Sequence, residues 1–216
     1  MHIAAVIPAY NEEATIGAVL DVVRTHPLIR EIIVVSDGST DCTAAVARKR
    51  KEVQVIELDK NRGKGGALMV GIKATDARML LFLDADLIGL QKAHLDNLLQ
   101  PLMESGADMV IGLFKEGRMA TDLALKVAPH LAGQRALKRN IIDEIDDLEM
   151  TRFGVEVALN NYVKENNCRL EQVYLKDLTH VMKEEKRGLI RGVASRLQMY
   201  WDIVKNIILR HEKPRN

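Results

Sequence analysis

Short, strongly apolar runs alternate with amphipathic stretches along the first hundred residues. Ile3 to Ile7, Glu31 to Val35, Val53 to Leu58 and Met79 to Leu83 are dominated by Ile, Val and Leu, as expected of strands buried on both faces of a sheet. Between the first two, Ile16, Val19, Leu20 and Val23 recur at helical spacing, predicting a helix from near Glu12 towards Arg24. Pro8 reads as the end of the first strand and Asn11 as the cap of that helix. Ser36 to Asp41 reads as a turn and cap for a helix through Ala47, and further helices are predicted from Ala67 to Ala74 and through His94 to Met103. Alternating strands and helices with short connections predict a doubly wound, mainly parallel α/β sheet.

The second half is less regular. Asp108 to Gly112 reads as another strand, and Leu131 to Arg139 as a glycine turn with adjacent donors or a basic surface helix. Ile141 to Glu149, with five carboxylates, reads as a solvated face. Gly154 opens an apolar helix carrying Glu156, and the stretch from Cys168 to His180 reads as a strand and loop. From Lys186 to Arg210 a broad apolar stripe, including Leu197, Tyr200, Trp201 and Val204, is edged by Arg187, Arg191, Arg196, Lys205 and Arg210. Such an amphipathic helix suits an anionic membrane surface, its own domain or a second subunit.

Chemistry-bearing residues cluster after the strands. Pro8 to Glu12, Ser36 to Asp41, Asn61 to Gly66 and Asp84 to Asp86 all follow apolar runs, and in a parallel sheet such loops share the edge where ligands bind. Asp84 and Asp86, read as the end of an extended strand, would face the same way. Two such hard oxygen donors suit Mg²⁺ or Mn²⁺ bridging to phosphates. The loop Asn61-Arg62-Gly63-Lys64-Gly65-Gly66 lacks the spacing and the Ser/Thr of a nucleotide-binding P-loop. No G-x-G-x-x-G fingerprint follows the first strand, which disfavours a dinucleotide site. Its glycines still admit an anion close to the backbone, with Arg62 or Lys64 to meet the charge.

Composition adds bounds. At 216 residues and 47% hydrophobic the chain can bury a substantial core, and a net charge of +1 gives no global drive towards nucleic acid. Two distant cysteines, Cys42 and Cys168, in a sequence with no secretory signal are expected to be free thiols. No run approaches the ~18 apolar residues of a membrane span, so a cytoplasmic protein is expected.

The segments Val6-Ile7-Pro8-Ala9-Tyr10-Asn11-Glu12-Glu13, Val34-Val35-Ser36-Asp37-Gly38-Ser39-Thr40-Asp41, Asn61 to Leu68 and Leu83-Asp84-Ala85-Asp86 together resemble family 2 glycosyltransferases in order and spacing. The resemblance implies a Rossmann-like GT-A fold that binds a UDP- or GDP-linked sugar through Mg²⁺ or Mn²⁺. It implies a transferase domain over residues 1–182, with a nucleotide-sugar half over 1–104 and an acceptor half over 105–182, followed by the basic amphipathic helix over residues 183–216. It places Pro8, Ala9, Tyr10, Glu12, Ser36, Asp37, Gly63, Lys64, Asp84 and Ala85 along the donor nucleotide, with Asp37 on the base. It makes Asp84 and Asp86 a DXD motif, with Asp86 the better metal ligand. The Gly154-Val155-Glu156 segment resembles glucosyl-3-phosphoglycerate synthases, which implies Gly133, Arg135 and Glu156 at the acceptor and His180 as a third metal ligand. Glu156 then orients or deprotonates an acceptor hydroxyl. A polyprenyl phosphate or a small phosphorylated or carboxylic acid are the acceptors implied, the former matching the basic tail. The chain is shorter than those synthases, and Gly133-Gln134-Arg135 matches their acceptor loop only loosely. A non-catalytic, membrane-recruited or nucleotide-sugar-binding relative is the alternative. A sugar-phosphate nucleotidyltransferase is a weaker one, because its Gly-rich loop after the first strand is missing.

Overall fold

The computed structural model describes residues 2–114, 132–145 and 155–180. It divides into a body of residues 1–179 and a segment of residues 180–216; of the latter, only His180 is described. The predicted amphipathic tail, the stretch from Lys115 to Leu131 and the end of the acidic run, Asp146 to Glu149, therefore lie outside the described residues.

The body opens β1 (Ile3–Ala9), α1 (Ile16–Val23), β2 (Ile29–Ser36), α2 (Thr43–Arg48), β3 (Val53–Glu57), α3 (Gly63–Lys73) and β4 (Met79–Phe82). There follow β5 (Leu87–Ile88), α4 (Lys92–Gln100), a π-helical turn (Pro101–Ser105), β6 (Met109–Phe114), β7 (Arg135–Lys138), α5 (Arg139–Asp143), α6 (Val155–Glu165), β8 (Leu170–Leu175) and β9 (Thr179–His180). Seven strands form one sheet in the order β3-β2-β1-β4-β7-β6-β8, and β5 and β9 form a small second sheet. β1 to β4 are parallel, β7 runs antiparallel to both β4 and β6, and β8 is parallel to β6.

Alternation along β1 shows why the sheet is buried on both faces. Ile3, Ala5 and Ile7 pack with Val19 and Leu20 of α1 and Leu95 and Leu98 of α4. Ala4 and Val6 face the other layer, among Leu68 and Ile72 of α3, Ile141 of α5 and Val155 and Leu159 of α6. The four buried positions of α1 are Ile16, Val19, Leu20 and Val23, the stripe expected from spacing.

Several boundaries differ from expectation for identifiable reasons. Pro8 does not end β1; it pairs with Val35 inside the strand. Its missing N–H costs no ladder bond because β4 pairs with β1 only as far as Val6. Asn11 does not cap α1, which begins at Ile16; it sits at φ +55° and its side chain serves a neighbouring loop instead. The Gly-rich stretch is not a turn before a helix at Ala67, because Gly63 to Gly66 are already the first turn of α3. The predicted helix through Met103 ends at Gln100 and continues as the π-helical turn, stopped by Gly106 at φ +76°. Residues 135–138 form neither turn nor surface helix but the interior strand β7, since pairing on both sides overrides weak local preference.

α3 lies close on the sheet at Gly71, where an added Cβ would stand 2.4 Å from Val6 Cγ1 and 3.2 Å from Val35 Cγ2. Gly71→Ala is expected to destabilise the fold by about 2 kcal/mol, overpacking outweighing the better helix propensity. A lower urea midpoint at unchanged slope would register it.

Asp108 ties three strands together on the far side of the sheet. Its Oδ1 accepts Lys138 Nζ at 2.8 Å, and its Oδ2 accepts the Arg169 backbone N–H at 2.9 Å. The Lys138 bond, opposed by burial and helped by the Arg169 N–H, holds this carboxyl below its ordinary value. A carboxyl depressed on folding stabilises the native state above its unfolded value of about 4 and loses that contribution as pH falls through the folded value. The stability–pH curve of Asp108→Asn is therefore expected to fall less steeply than wild type on acidification below about pH 4, followed by urea melts at fixed pH values.

Candidate active site

The carboxyl ends of β1, β2 and β4 and the start of α3 meet at one sheet edge. From β1 the order runs to β2 and β3 on one side and to β4 on the other, so the edge between β1 and β4 is the topological switch where α/β sheets hold ligands. β7 is antiparallel, which brings the residues before it, Gly133 and Gln134, to the same edge. Loops that follow parallel strands and a loop that precedes an antiparallel one thus converge.

The nucleoside-facing loops predicted from sequence are laced together. Asn11 Oδ1 accepts the Thr40 N–H at 2.8 Å, and Ser39 Oγ accepts the Asn11 N–H at 3.2 Å. Thr43 Oγ1 accepts the Glu12 N–H at 2.8 Å, and Glu13 Oε2 accepts the Cys42 N–H at 2.9 Å. Asp37 is buried; its N–H donates to Ala9 O at 2.8 Å and its Oδ1 accepts the Arg62 N–H at 2.7 Å. Asp37 therefore fastens the start of α3 to the end of β2. Gly38, at φ +66°, lies under this junction, where a Cβ would stand 2.5 Å from Asn61 N. Pro8, Ala9 and Ser36 are buried along the same strand ends, and Tyr10 is exposed.

At the first turn of α3, Arg62 provides no side-chain cap. Asn61 Oδ1 accepts the Gly63 N–H at 3.1 Å, and the N–H groups of a helix start are where an anion binds. Lys64 projects from this turn and its ammonium bridges two carboxylates: Asp84 Oδ1 at 2.7 Å and Glu156 Oε1 at 2.8 Å. Burial works against the ammonium, yet Asp84 and Glu156 prevail and hold Lys64 above the ordinary lysine value. For Glu156, burial pushes upward, but Lys64 and then Arg135 bring the carboxyl below its usual range. An ionised carboxylate accepts hydrogen bonds, so Glu156 could hold a hydroxyl in place from here.

Asp84 is held from its other side by Gln134. The Gln134 amide donates to Asp84 Oδ2 at 2.9 Å and its Oε1 accepts the Asp84 N–H at 3.1 Å. Arg135, the next residue, is fully buried; its Nε donates to Ala132 O at 2.9 Å and a terminal nitrogen to Asn160 Oδ1 at 2.6 Å. Burial drags this guanidinium down to about 10, against the pull of Glu156 and Asp84, which leaves it protonated at neutral pH. In this position the Arg135 guanidinium is buried against Ala132 and Asn160, where the resemblance implied a place at the acceptor.

One local expectation changes. β4 ends at Phe82 and the chain turns at Ala85 and Asp86, so Asp84 and Asp86 are not successive same-side positions of one strand. Both carboxylates are partly exposed after that strand end. Carboxylate oxygens are of the hard kind a divalent metal takes, and on Asp84 one of them already meets a cation, the Lys64 ammonium. Among the described residues no group of three or more His, Cys, Asp or Glu side chains is arranged to hold a metal ion. Two supporting residues were not singled out from the sequence, Gln134 and Asn160. Nothing in the spacing marks Gln134. Asn160 lies one helical turn after Glu156 on α6, a spacing that places both on one face.

Residues 4–157, most of the chain, match the family described as glycosyl transferase family 2. The chain belongs to that family. The family 2 match takes in Lys64, Asp84, Asp86, Gln134, Arg135 and Glu156 and stops short of His180.

Among curated relatives, dolichyl-phosphate beta-glucosyltransferase of Drosophila melanogaster is 40% identical over 101 residues, covering 40% of this chain and 31% of the relative. Glucosyl-3-phosphoglycerate synthase of Mycolicibacterium smegmatis is 34% identical over 122 residues, covering 52% of this chain and 40% of the relative. The family 2 chain thus spans less than half the length of these relatives. Among solved structures, glucosyl-3-phosphoglycerate synthase of Mycobacterium tuberculosis in complex with Mn²⁺ and UDP-glucose superposes with a TM-score of 0.74 at 25% identity, covering 100% of this chain and 80% of that one. The same enzyme with Mn²⁺, UDP-glucose and phosphoglyceric acid gives 0.67 at 28% identity, covering 83% and 71%. The expected GT-A fold agrees with these neighbours. Both cysteines are free thiols, and no helix among the described residues is long and apolar enough to cross a membrane.

Proposed function

We propose that this family 2 chain transfers a sugar, with glucose from UDP-glucose the first candidate, to a phosphorylated acceptor. The observation that carries this reading is the Lys64–Asp84 pair at the β1/β4 switch point, beside the start of α3. A nucleoside laid along Pro8 to Glu12 with its base at Asp37 directs its diphosphate to that helix start, where backbone N–H groups and Lys64 meet negative charge. Asp84 and Asp86 would hold Mn²⁺ or Mg²⁺, and His180 is proposed as a third ligand from the sequence resemblance. Such an ion stabilises charge developing on the departing diphosphate. Glu156 orients the acceptor hydroxyl, and Gln134 and Arg135 keep Asp84 and α6 in place. The relatives' names supply two acceptors that share a phosphate group, phosphoglycerate and dolichyl phosphate. For a lipid phosphate, the amphipathic stretch from Lys186 to Arg210 offers cytoplasmic membrane apposition, and for a soluble acid it offers a subunit contact.

A ligand that binds only the native state raises the melting temperature by mass action. A melting panel of UDP-glucose, other UDP-sugars and GDP-sugars, each with and without Mn²⁺, is expected to give a metal-dependent rise with one of them. Turnover is then assayed with 3-phosphoglycerate and with a short polyprenyl phosphate in detergent. No metal-dependent rise with any donor, and no product with either acceptor, would remove the transferase reading.

A further inference from the structure

The two oxygens of Asp84 have partners of different character. Oδ2 takes the amide of Gln134, a residue only 1% exposed that is tied back to the Asp84 N–H. Oδ1 takes the ammonium of Lys64, whose side chain is 37% exposed and whose other contact is Glu156 Oε1. One oxygen is anchored by a buried amide. The other meets a cation on a flexible four-carbon stem, at the mouth of the site, shared between two elements.

We propose that Lys64 is a built-in counter-ion that occupies Asp84 until a nucleotide diphosphate draws it away, so that the divalent cation binds with the nucleotide and only weakly before it. This rests on the reading above that Asp84 holds the metal. An ammonium at 2.7 Å from Oδ1 and a divalent ion on the same oxygen would repel each other strongly at that range. A metal arriving alone must therefore expel Lys64, which then keeps a single carboxylate partner, Glu156. A diphosphate arriving at the start of α3 changes the balance, because its oxygens offer Lys64 a denser negative charge a short swing away. Lysine suits that exchange, being a compact point charge whose stem can move while the helix stays fixed. Gln134 keeps Asp84 oriented while its partner on Oδ1 changes. Nucleotide and metal then strengthen each other's binding by the same factor, as linkage requires.

Mn²⁺ binding to the full 216-residue chain, followed by the electron paramagnetic resonance of free Mn²⁺ with and without UDP, tests this directly. Lys64→Met and Lys64→Gln both remove the competing charge, and Lys64→Arg keeps it. The neutral variants are expected to bind Mn²⁺ alone about tenfold more tightly than wild type, with the enhancement by UDP reduced by a similar factor. Lys64→Arg should stay close to wild type. Melting curves identify any variant that fails to fold, and two neutral substitutions guard against losing one. Should wild type bind Mn²⁺ with UDP while neither neutral variant gains affinity for Mn²⁺ alone, this inference is overturned and the site stands. Absence of Mn²⁺ binding by wild type even with UDP would overturn the placement of the metal site itself, and the inference with it.

Discussion

Asp84→Asn is expected to lower kcat/KM by about 10³-fold, roughly 4 kcal/mol of transition-state stabilisation, while the melting temperature of the protein changes little. The asparagine amide matches the carboxylate in shape, so Gln134 keeps a partner and the turn after β4 keeps its course. What disappears is the negative charge that Lys64 now neutralises and that a divalent cation would use. Donors and ions set against a departing diphosphate act where charge develops, which is why the loss falls on turnover more than on folding. Steady-state kinetics with UDP-glucose and Mn²⁺, alongside a thermal melt, separate the two effects. Full activity in a folded Asp84→Asn protein would show that the reaction centre lies elsewhere on this sheet edge.

Gly133→Ala is expected to reduce turnover by about 100-fold through a single methyl group, with stability within about 1 kcal/mol of wild type. A Cβ at this position would stand 2.4 Å from Asp84 Oδ2 and 2.5 Å from Lys64 Nζ. To admit it, the carboxylate held by Gln134 and Lys64, or the ammonium held by Asp84 and Glu156, must leave its present position. The backbone of Gly133 is not in the left-handed region, so alanine fits the chain and the damage is confined to the charges above it. Displacing reacting groups by about 1 Å commonly costs two orders of magnitude. Near-normal kinetics in Gly133→Ala, at unchanged stability, would mean that the Lys64–Asp84 pair is not part of the working site.

How much of this was readable beforehand follows the physics of each segment. β1, β2 and β4 announce themselves because strands buried on both faces must be apolar at every position, and the α1 stripe because a half-buried helix must repeat at its own period. The clustering of unusual residues after strands was equally legible, since the parallel sheet dictates where those loops go. Arg135 to Lys138 gave no such sign. A four-residue strand with basic residues at both ends becomes central only because β4 and β6 bracket it, and that pairing is not written in its local sequence. The same hidden pairing conceals Gln134, whose value is to lie beside a residue 50 positions earlier. Lys64 was visible as a basic residue among glycines, but its attachment to Glu156, from the start of a distant helix, needed the fold.

The lacing between the loops after β1 and β2 bears on how selective the donor end can be. Conformational entropy lost on folding need not be lost again on binding, and here side chains of Asn11, Glu13, Ser39 and Thr43 already immobilise the backbone a nucleoside would touch. A preorganised shelf gains affinity without reordering, and it also resists reshaping around a larger or differently shaped base. On the proposed placement of the nucleoside, discrimination among nucleobases belongs to the folded scaffold itself, before any ligand arrives.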